Sequence, residues 1–408
     1  MTRSTILPLS LDDIPGVDMH SAEFLSAPHA VFSQLRQQAP LARSRRGLEV
    51  IDYQWMYDLY ADRRLDTPGV APLVAKGTPE RFTTFLEQGF LLGFHGERHN
   101  RIRKVVQKGF TPRQVDRQRQ VMRQCAAELV DNFDGNEIDF VESFSIQFPV
   151  VSICRILGVP EQDIPQFKEA GILLHLMGAV PLAPGYPKIE EGLGILYDYV
   201  SRLVADRRRR PGEDFISALI EAEHSEGRLT EAELVWNIVN LLFAGQDTTR
   251  FQLAGVVRAA IEEPGEAWER LAADPRLVGS VLAEGYRFYP AVQWSSRQPL
   301  EDIEYDGIPF SRGQWIFLHN LAASRDPNAF PDPDRYDIER EQRFALPFGR
   351  GLHHCVGQLL AKIGMEEAML ILTRRLADPR IVGDVHSVSP TAMVGGPEHL
   401  PIGFRLRT

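Results

Sequence analysis

A cysteine inside a glycine-rich run carries the plainest chemistry in this chain. The run is Phe348-Gly349-Arg350-Gly351-Leu352-His353-His354-Cys355-Val356-Gly357, and Gln358 to Leu370 follow with apolar residues at helical spacing. Gly349 and Gly351 predict a tight turn with little Cβ bulk. The spacing predicts a helix from about Cys355 or Val356, which sets the sulfur beside unpaired backbone N–H groups and the positive end of a helix dipole. Such surroundings lower a thiol's pKa and favour the thiolate. Three uses fit a thiolate of this kind: a nucleophile, a zinc ligand, or the axial ligand of a haem iron. Zinc needs more Cys or His at ligand spacing, whereas Cys125 and Cys154 each stand alone in a helical pattern. A nucleophile needs a base in reach, and His353 and His354 are neighbours in sequence without making a triad. A haem needs one thiolate, small residues where the macrocycle lies flat, and cations for its carboxylates. Gly349, Gly351 and Gly357 supply small residues, and His353 or Arg350 a cation.

A second constellation sits in the longest helical pattern. Thr230-Glu231-Ala232-Glu233 is a capping-box sequence, and helical periodicity runs on to Glu263, where Pro264 stops it. At its centre lies Ala244-Gly245-Gln246-Asp247-Thr248-Thr249. Gly245 weakens a helix, and the Thr248 hydroxyl can bond back to the carbonyl of residue 244, so a local widening is expected. Small residues at a helix crossing explain such a run as readily as a ligand does. An alcohol beside an acid also suits delivery of protons to a reacting oxygen, with Thr248 as donor and Asp247 as relay.

The order Phe-Gly-x-Gly-x-His-x-Cys-x-Gly resembles the haem-binding signature of the cytochrome P450 family. Every specified position is matched, by Phe348, Gly349, Gly351, His353, Cys355 and Gly357. The family also has an acid–alcohol dipeptide in its long central helix, like Asp247-Thr248. It has a His-x-x-x-Arg before Phe-Thr-Pro, like His99 and Arg103 before Phe110-Thr111-Pro112. The resemblance implies haem b with Cys355 as axial thiolate and Ala244, Gly245 and Thr248 against the macrocycle. It implies propionate contacts from His99, Arg103, Arg297 and His353. Glu284-Gly285-Tyr286-Arg287, with the later Pro333-Asp334-Arg335-Tyr336, implies a buried cluster of Glu284, Arg287 and Arg335 locking the thiolate loop. One departure is that His95-Gly96-Glu97-Arg98 stands where the family often has Asp-Pro-Pro-Glu, which leaves Arg98 to attract an acidic group.

The surrounding elements must position these groups. Helices are expected over Pro28–Gln38, Arg117–Phe133, Val141–Val159, Ile164–Met177 and Lys188–Arg210, and a strand over Leu48–Tyr53. Ile303 to Phe317, turned at Asp306-Gly307 and Arg312-Gly313, reads as a small antiparallel sheet. The expected fold is mainly α with a small antiparallel β part, the cytochrome P450 fold. It forms one domain over 1–408, with an N-terminal extension at 1–27 and β-rich parts near 40–66 and 292–320. Candidates to border a substrate are Phe82, Phe85, Leu92, Leu173, Leu176, Val292, Trp294 and Met393. The first three lie in an apolar segment that by itself packs a core more readily than it lines a pocket. In the family the segment covers the distal face of the haem, and a helix pair like Ile164–Met177 and Lys188–Arg210, which carries Leu173 and Leu176, forms a mobile roof over the substrate site.

A charged content of 25% and a net charge of −10 argue against nucleic acid and against an anionic membrane surface. The Arg207–Arg210 run reads as a solvated helix end. No apolar run reaches the length of a membrane span, so a cytoplasmic protein is expected. The resemblance implies a monooxygenase that inserts one atom of O2 into a small apolar substrate. No Gly-x-Gly-x-x-Gly after a strand and no cysteine cluster suggest a built-in electron donor, so a ferredoxin and a ferredoxin reductase are the expected partners. Arg103, Lys104, Lys108, Arg113 and Arg350 would form their docking patch. Two other readings are a peroxide-driven haem-thiolate peroxygenase, whose kind tends to lack the acid–alcohol pair, and a non-catalytic haem or ligand-binding protein.

Overall fold

Proline and glycine break the chain's apolar helical periodicity into segments, and each segment folds as a helix that buries its apolar stripe. The structure is a computed structural model. It describes residues 13–407 apart from 75–76, 179–181, 213, 227–228, 263–265, 342 and 345, and apart from the side chains of His175 and of 224–226. The expected stop at Pro264 and residues 1–12 of the N-terminal extension lie outside the described residues.

The principal core is helical. It joins Phe82, Phe85, Phe144, Phe148, Trp236 and Tyr286 with many aliphatic side chains. A second cluster, including Leu48, Val50, Tyr60, Ile316 and Leu318, packs on the largest sheet. Among the described residues no helix is long and apolar enough to cross a membrane.

That sheet runs in the order Leu41–Arg43, Leu48–Val50, Ile316–His319, Trp294–Pro299, Leu65–Asp66. Its pairings are antiparallel except that Leu48–Val50 lies parallel to Ile316–His319. The expected sheet over Ile303–Phe317 therefore divides. Ile303–Tyr305 and Ile308–Phe310 make an antiparallel hairpin turned at Asp306-Gly307, both with positive φ, while Ile316–His319 joins the larger sheet. The strand expected over Leu48–Tyr53 ends at Val50, because the Asp52 carboxylate accepts the Trp55 N–H and starts the helix Tyr53–Leu59. Val141–Val159 also differs: a π-helical turn at Val141–Ser145 precedes the helix Gln147–Ile156.

The segment from 66 to 95 holds a regular helix, Glu80–Gln88, that points Phe82, Phe85 and Leu86 into the core. Ile164–Leu174 packs on Tyr186–Arg209 as the roof pair. The arginine run at the end of that pair is neutralised by neighbours, with Arg207 on Asp214, Arg208 on Glu223 and Arg209 on Asp206.

Candidate active site

The long central helix begins as its capping box dictates. Thr230 Oγ1 accepts the Glu233 N–H at 3.1 Å, and Glu233 accepts the Thr230 N–H at 3.1 Å. It then parts into Glu231–Ala244 and Asp247–Glu262, with Gly245 and Gln246 between them. The Thr248 hydroxyl donates to the Ala244 carbonyl at 2.9 Å and so occupies an acceptor the helix ladder needs. The result is a complete interruption where sequence reasoning expected a widening. Asp247 Oδ1 stands 3.0 Å from Arg250 Nε, one turn along the second half.

The cysteine loop turns as its glycines require. Gly349 and Gly351 have φ of +65° and +73°, and a Cβ on Gly351 would lie 2.7 Å from the Tyr60 carbonyl oxygen. The Cys355 N–H donates to the Phe348 carbonyl at 2.8 Å, closing the loop. The following helix runs Gln358–Arg375 with Gly357 as its N-cap, so it starts later than the spacing suggested. Backbone N–H groups of Gly357 and Gln358 bond the sulfur, yet desolvation by the protein packed around it outweighs them and the nearby Arg103 charge and pushes the thiol above its ordinary pKa, although the residue itself is exposed at the cavity. The sequence-based expectation of a lowered pKa is therefore corrected. Coordination to a metal deprotonates such a thiol outright.

One cavity collects the chemistry. Ala244, Gly245, Thr248 and Thr249 of the interrupted helix line one side of it, and Cys355, Val356 and Gly357 line another. Phe110, Phe148 and Phe215 close it with apolar surface. Cys125 and Cys154 are fully buried elsewhere in the core, and burial raises both thiols, Cys154 to about 12. Among the described residues no group of three or more His, Cys, Asp or Glu could hold a metal ion, so the zinc reading finds no ligand set.

Buried polar groups gather near the cysteine loop. The His99 and His353 rings lie 4.5 Å apart between centroids. Among the described residues no hydrogen bond of ordinary geometry reaches either His99 nitrogen or His353 Nδ1, while His353 Nε2 meets Asp66 Oδ1 at 2.6 Å. Burial, with the charges of His353 and Arg103, brings His99 down to about 4. Arg297 is 5% exposed, donates from Nη1 to the Ser296 carbonyl at 2.8 Å and lies over the Tyr60 ring at 5.1 Å. Arg103 donates to the His354 carbonyl. Arg98, offered by the sequence as an attractor of acids, faces Glu233 at 3.4 Å.

The scaffold under the loop is a buried ionic network. Arg287 Nε and Nη2 donate to the Glu284 carboxylate at 2.9 and 2.6 Å. The expected third cation, Arg335, has an exposed side chain, and its place is taken by Arg340, whose Nε donates to Glu284 Oε1 at 3.1 Å. Arg335 contributes its carbonyl, which accepts from both Arg287 and Arg340 at 3.0 Å. Tyr286, on the helix that carries Glu284, packs edge-on to Phe348 with ring centroids 5.3 Å apart. The network is thus one ring contact from the residue that accepts the Cys355 N–H.

Known proteins resemble the chain over most of its length. A family profile described as Cytochrome P450 matches residues 272–377. Luteothin monooxygenase of Streptomyces thioluteus is 30% identical over 400 residues, covering 96% of either chain. The chain belongs to the cytochrome P450 family. Mycinamicin IV hydroxylase/epoxidase of Micromonospora griseorubida is 31% identical over 359 residues, covering 86% of this chain and 88% of its own. The solved structure of cytochrome P450 CYP109Q5 from Chondromyces apiculatus has a TM-score of 0.86 at 28% identity, covering 96% of this chain and 99% of that one. As a P450 the protein is a monooxygenase, and its cofactor is haem b with an axial cysteine thiolate.

The residues present fit that cofactor. Cys355 is the cysteine on the cavity wall, and the unpartnered buried nitrogens of His99 and His353 call for acceptors such as the two haem carboxylates. The eight substrate-pocket candidates are not among the residues that line the cavity beside Cys355 in this P450. Phe85 packs on Trp236 and Phe243, and Phe82 on Tyr186. Leu92 is exposed, and its carbonyl accepts the Thr67 hydroxyl at 2.7 Å. Leu173 and Leu176 face Gly192 and Gly185 inside the roof pair. Val292 bridges Val394, the Trp294 indole donates to the Thr391 carbonyl at 2.9 Å, and Met393 is exposed. Phe110, Phe148, Ile153 and Leu241, which do line the cavity, have only ordinary core periodicity to mark them in the sequence.

Proposed function

We propose that this P450 inserts one oxygen atom from O2 into an apolar small-molecule substrate, typically as a hydroxylation, with Cys355 as the axial ligand. Electrons come from a separate ferredoxin and ferredoxin reductase. The observation that carries the reading is the single cavity walled by the Thr248 segment and by the Cys355 loop. Relatives named for luteothin and mycinamicin IV support a small molecule as the substrate class.

Bound haem b supplies the activation of dioxygen. The chain supplies its setting. His99, Arg103, Arg297 and His353 hold the propionate edge through charge-assisted hydrogen bonds. Aromatic walls exclude water, which strengthens every electrostatic contact inside. The Thr248 hydroxyl holds a proton at the cavity, resting on the Ala244 carbonyl and free to rotate about χ1. Asp247, whose side chain is 26% exposed, links that hydroxyl to solvent and reloads it. Retention of this pair supports dioxygen, rather than peroxide, as the oxidant.

Thr248→Ala tests the assignment. The variant should bind haem normally, while product formed per reductant consumed falls roughly tenfold or more, the lost electrons appearing as hydrogen peroxide. Undiminished coupling removes Thr248 from the mechanism.

The partner reading rests on a surface groove where Arg103, Lys104 and Arg350 stand beside Phe344 and Leu352. An acidic electron carrier suits that surface. Partner-supported turnover should fall several-fold when ionic strength rises from about 0.05 to about 0.5 M, as the screening length shortens. Turnover indifferent to salt, measured with saturating substrate, discards the electrostatic part of the proposal.

A further inference from the structure

Asp66 is a carboxylate in an unexpected place. It ends the short strand Leu65–Asp66, which pairs antiparallel with Gln298 and Pro299, and so it lies beside Arg297. Its side chain is 7% exposed. Oδ1 meets His353 Nε2 at 2.6 Å and accepts the Thr67 N–H at 2.8 Å, and Oδ2 meets His95 Nδ1 at 3.1 Å. Burial pushes its pKa up, but the hydrogen bonds it accepts from His353, Thr67 and His95 win and bring it down to about 2. Its charge also acts on Arg297. A buried carboxylate next to the groups that take a dianionic edge is electrostatically costly. It repels the propionates and spends on itself part of the positive charge they need.

That cost is offset in two ways. The bond to Nε2 fixes the ring of His353, much as outer carboxylates orient histidines at metal sites. A fixed negative charge beside a redox centre also opposes the arrival of an electron.

We propose that Asp66 is a positioning residue of the cofactor site that orients His353 and holds the haem's reduction potential down through its charge. The proposal rests on the haem-thiolate reading above. It concerns the first electron transfer: a lower potential keeps the ferric resting state from accepting electrons until substrate is in place.

The experiment is a spectroelectrochemical titration of the purified holoprotein at fixed pH, comparing the parent with Asp66→Asn, Asp66→Ser and Asp66→Glu. The neutral variants should favour the ferrous form about tenfold, or ~59 mV for a one-electron couple. Asp66→Glu, which keeps the charge, should stay near the parent. Haem transfer to excess apomyoglobin gives a second readout. Asp66→Ser should lose haem several-fold faster than Asp66→Asn, whose amide oxygen still accepts from His353. Unchanged potentials in both neutral variants, with the far-red carbon monoxide band intact, overturn the proposal and leave the haem-thiolate reading standing. A shift in Asp66→Glu equal to that in Asp66→Asn overturns it as well, because geometry rather than charge would then be responsible. Failure of both neutral variants to load haem, with loss of helical circular dichroism, would make Asp66 a folding residue and overturn it. Absence of the far-red band in the parent brings down the underlying reading and this proposal together.

Discussion

Replacing Cys355 by serine should abolish the far-red absorption band of the reduced carbon monoxide complex while leaving the protein folded. Serine nearly matches cysteine in size, and the N–H of residue 355 can still reach the Phe348 carbonyl, so the loop has no reason to open. A hydroxyl, unlike a thiol, does not surrender its proton to iron at neutral pH, and the electron push of sulfur is lost with it. Neither remaining cysteine can substitute. Cys125 and Cys154 are wholly buried in the helical core, and Cys125 already accepts from Arg155 Nη1 at 3.2 Å. Cys125→Ser and Cys154→Ser should therefore keep the band at full intensity per haem. The measurement is a reduced difference spectrum under carbon monoxide, normalised to haem content. A band that survives in Cys355→Ser would remove the ligand assignment and every role drawn from it.

What could be read without coordinates was whatever is local along the chain. The glycines of the cysteine loop, the capping box at Thr230 and the back-bond of Thr248 each act within a few residues, and each is visible in spacing alone. The contacts that sequence reasoning missed are those that close only in space. Asp66 and His353 are 287 positions apart, so nothing in the run around His353 announces its partner. Arg340 was hidden differently. It lies five residues past the arginine that the family pattern suggested, and only the path of the 331–340 loop decides which guanidinium turns inward. The pocket candidates show a related limit. Apolar periodicity identifies a buried face without saying whether the face meets protein or ligand, and on the Glu80–Gln88 helix it meets Trp236 and Phe243. The thiol's electrostatics were half legible. The dipole argument placed the right N–H donors at the sulfur, but desolvation by the protein packed around it, which decides the sign of the shift, is a tertiary property.

Glu284→Ala should yield protein that is largely free of haem and markedly less stable. The carboxylate is 5% exposed and accepts from Arg287, Arg340 and the Asp337 N–H, the last at 2.9 Å. Removing it leaves two guanidinium groups facing one another in a buried space, a loss of about 3–5 kcal/mol for a broken buried pair. That is a large part of the ~5–15 kcal/mol by which folded domains are stable. The damage should spread to the cysteine. Arg287 Nη1 also holds the Ser324 and Pro333 carbonyls at 2.8 and 2.6 Å, so a displaced Arg287 frees the loop that leads to Phe348. Comparison of arginines separates this account from a motif-based one. Arg340→Ala should lower the denaturation midpoint nearly as much as Glu284→Ala. Arg335→Ala should do little, because its side chain is exposed and only its carbonyl, which alanine retains, enters the network. Haem-to-protein ratio and urea midpoint measure both effects, and Glu284→Gln should fall between the parent and Glu284→Ala because its amide oxygen still accepts one donor. A fully loaded Glu284→Ala protein with the parent's midpoint, or an Arg335→Ala variant as damaged as Arg340→Ala, would show that the thiolate loop is held by something other than this cluster.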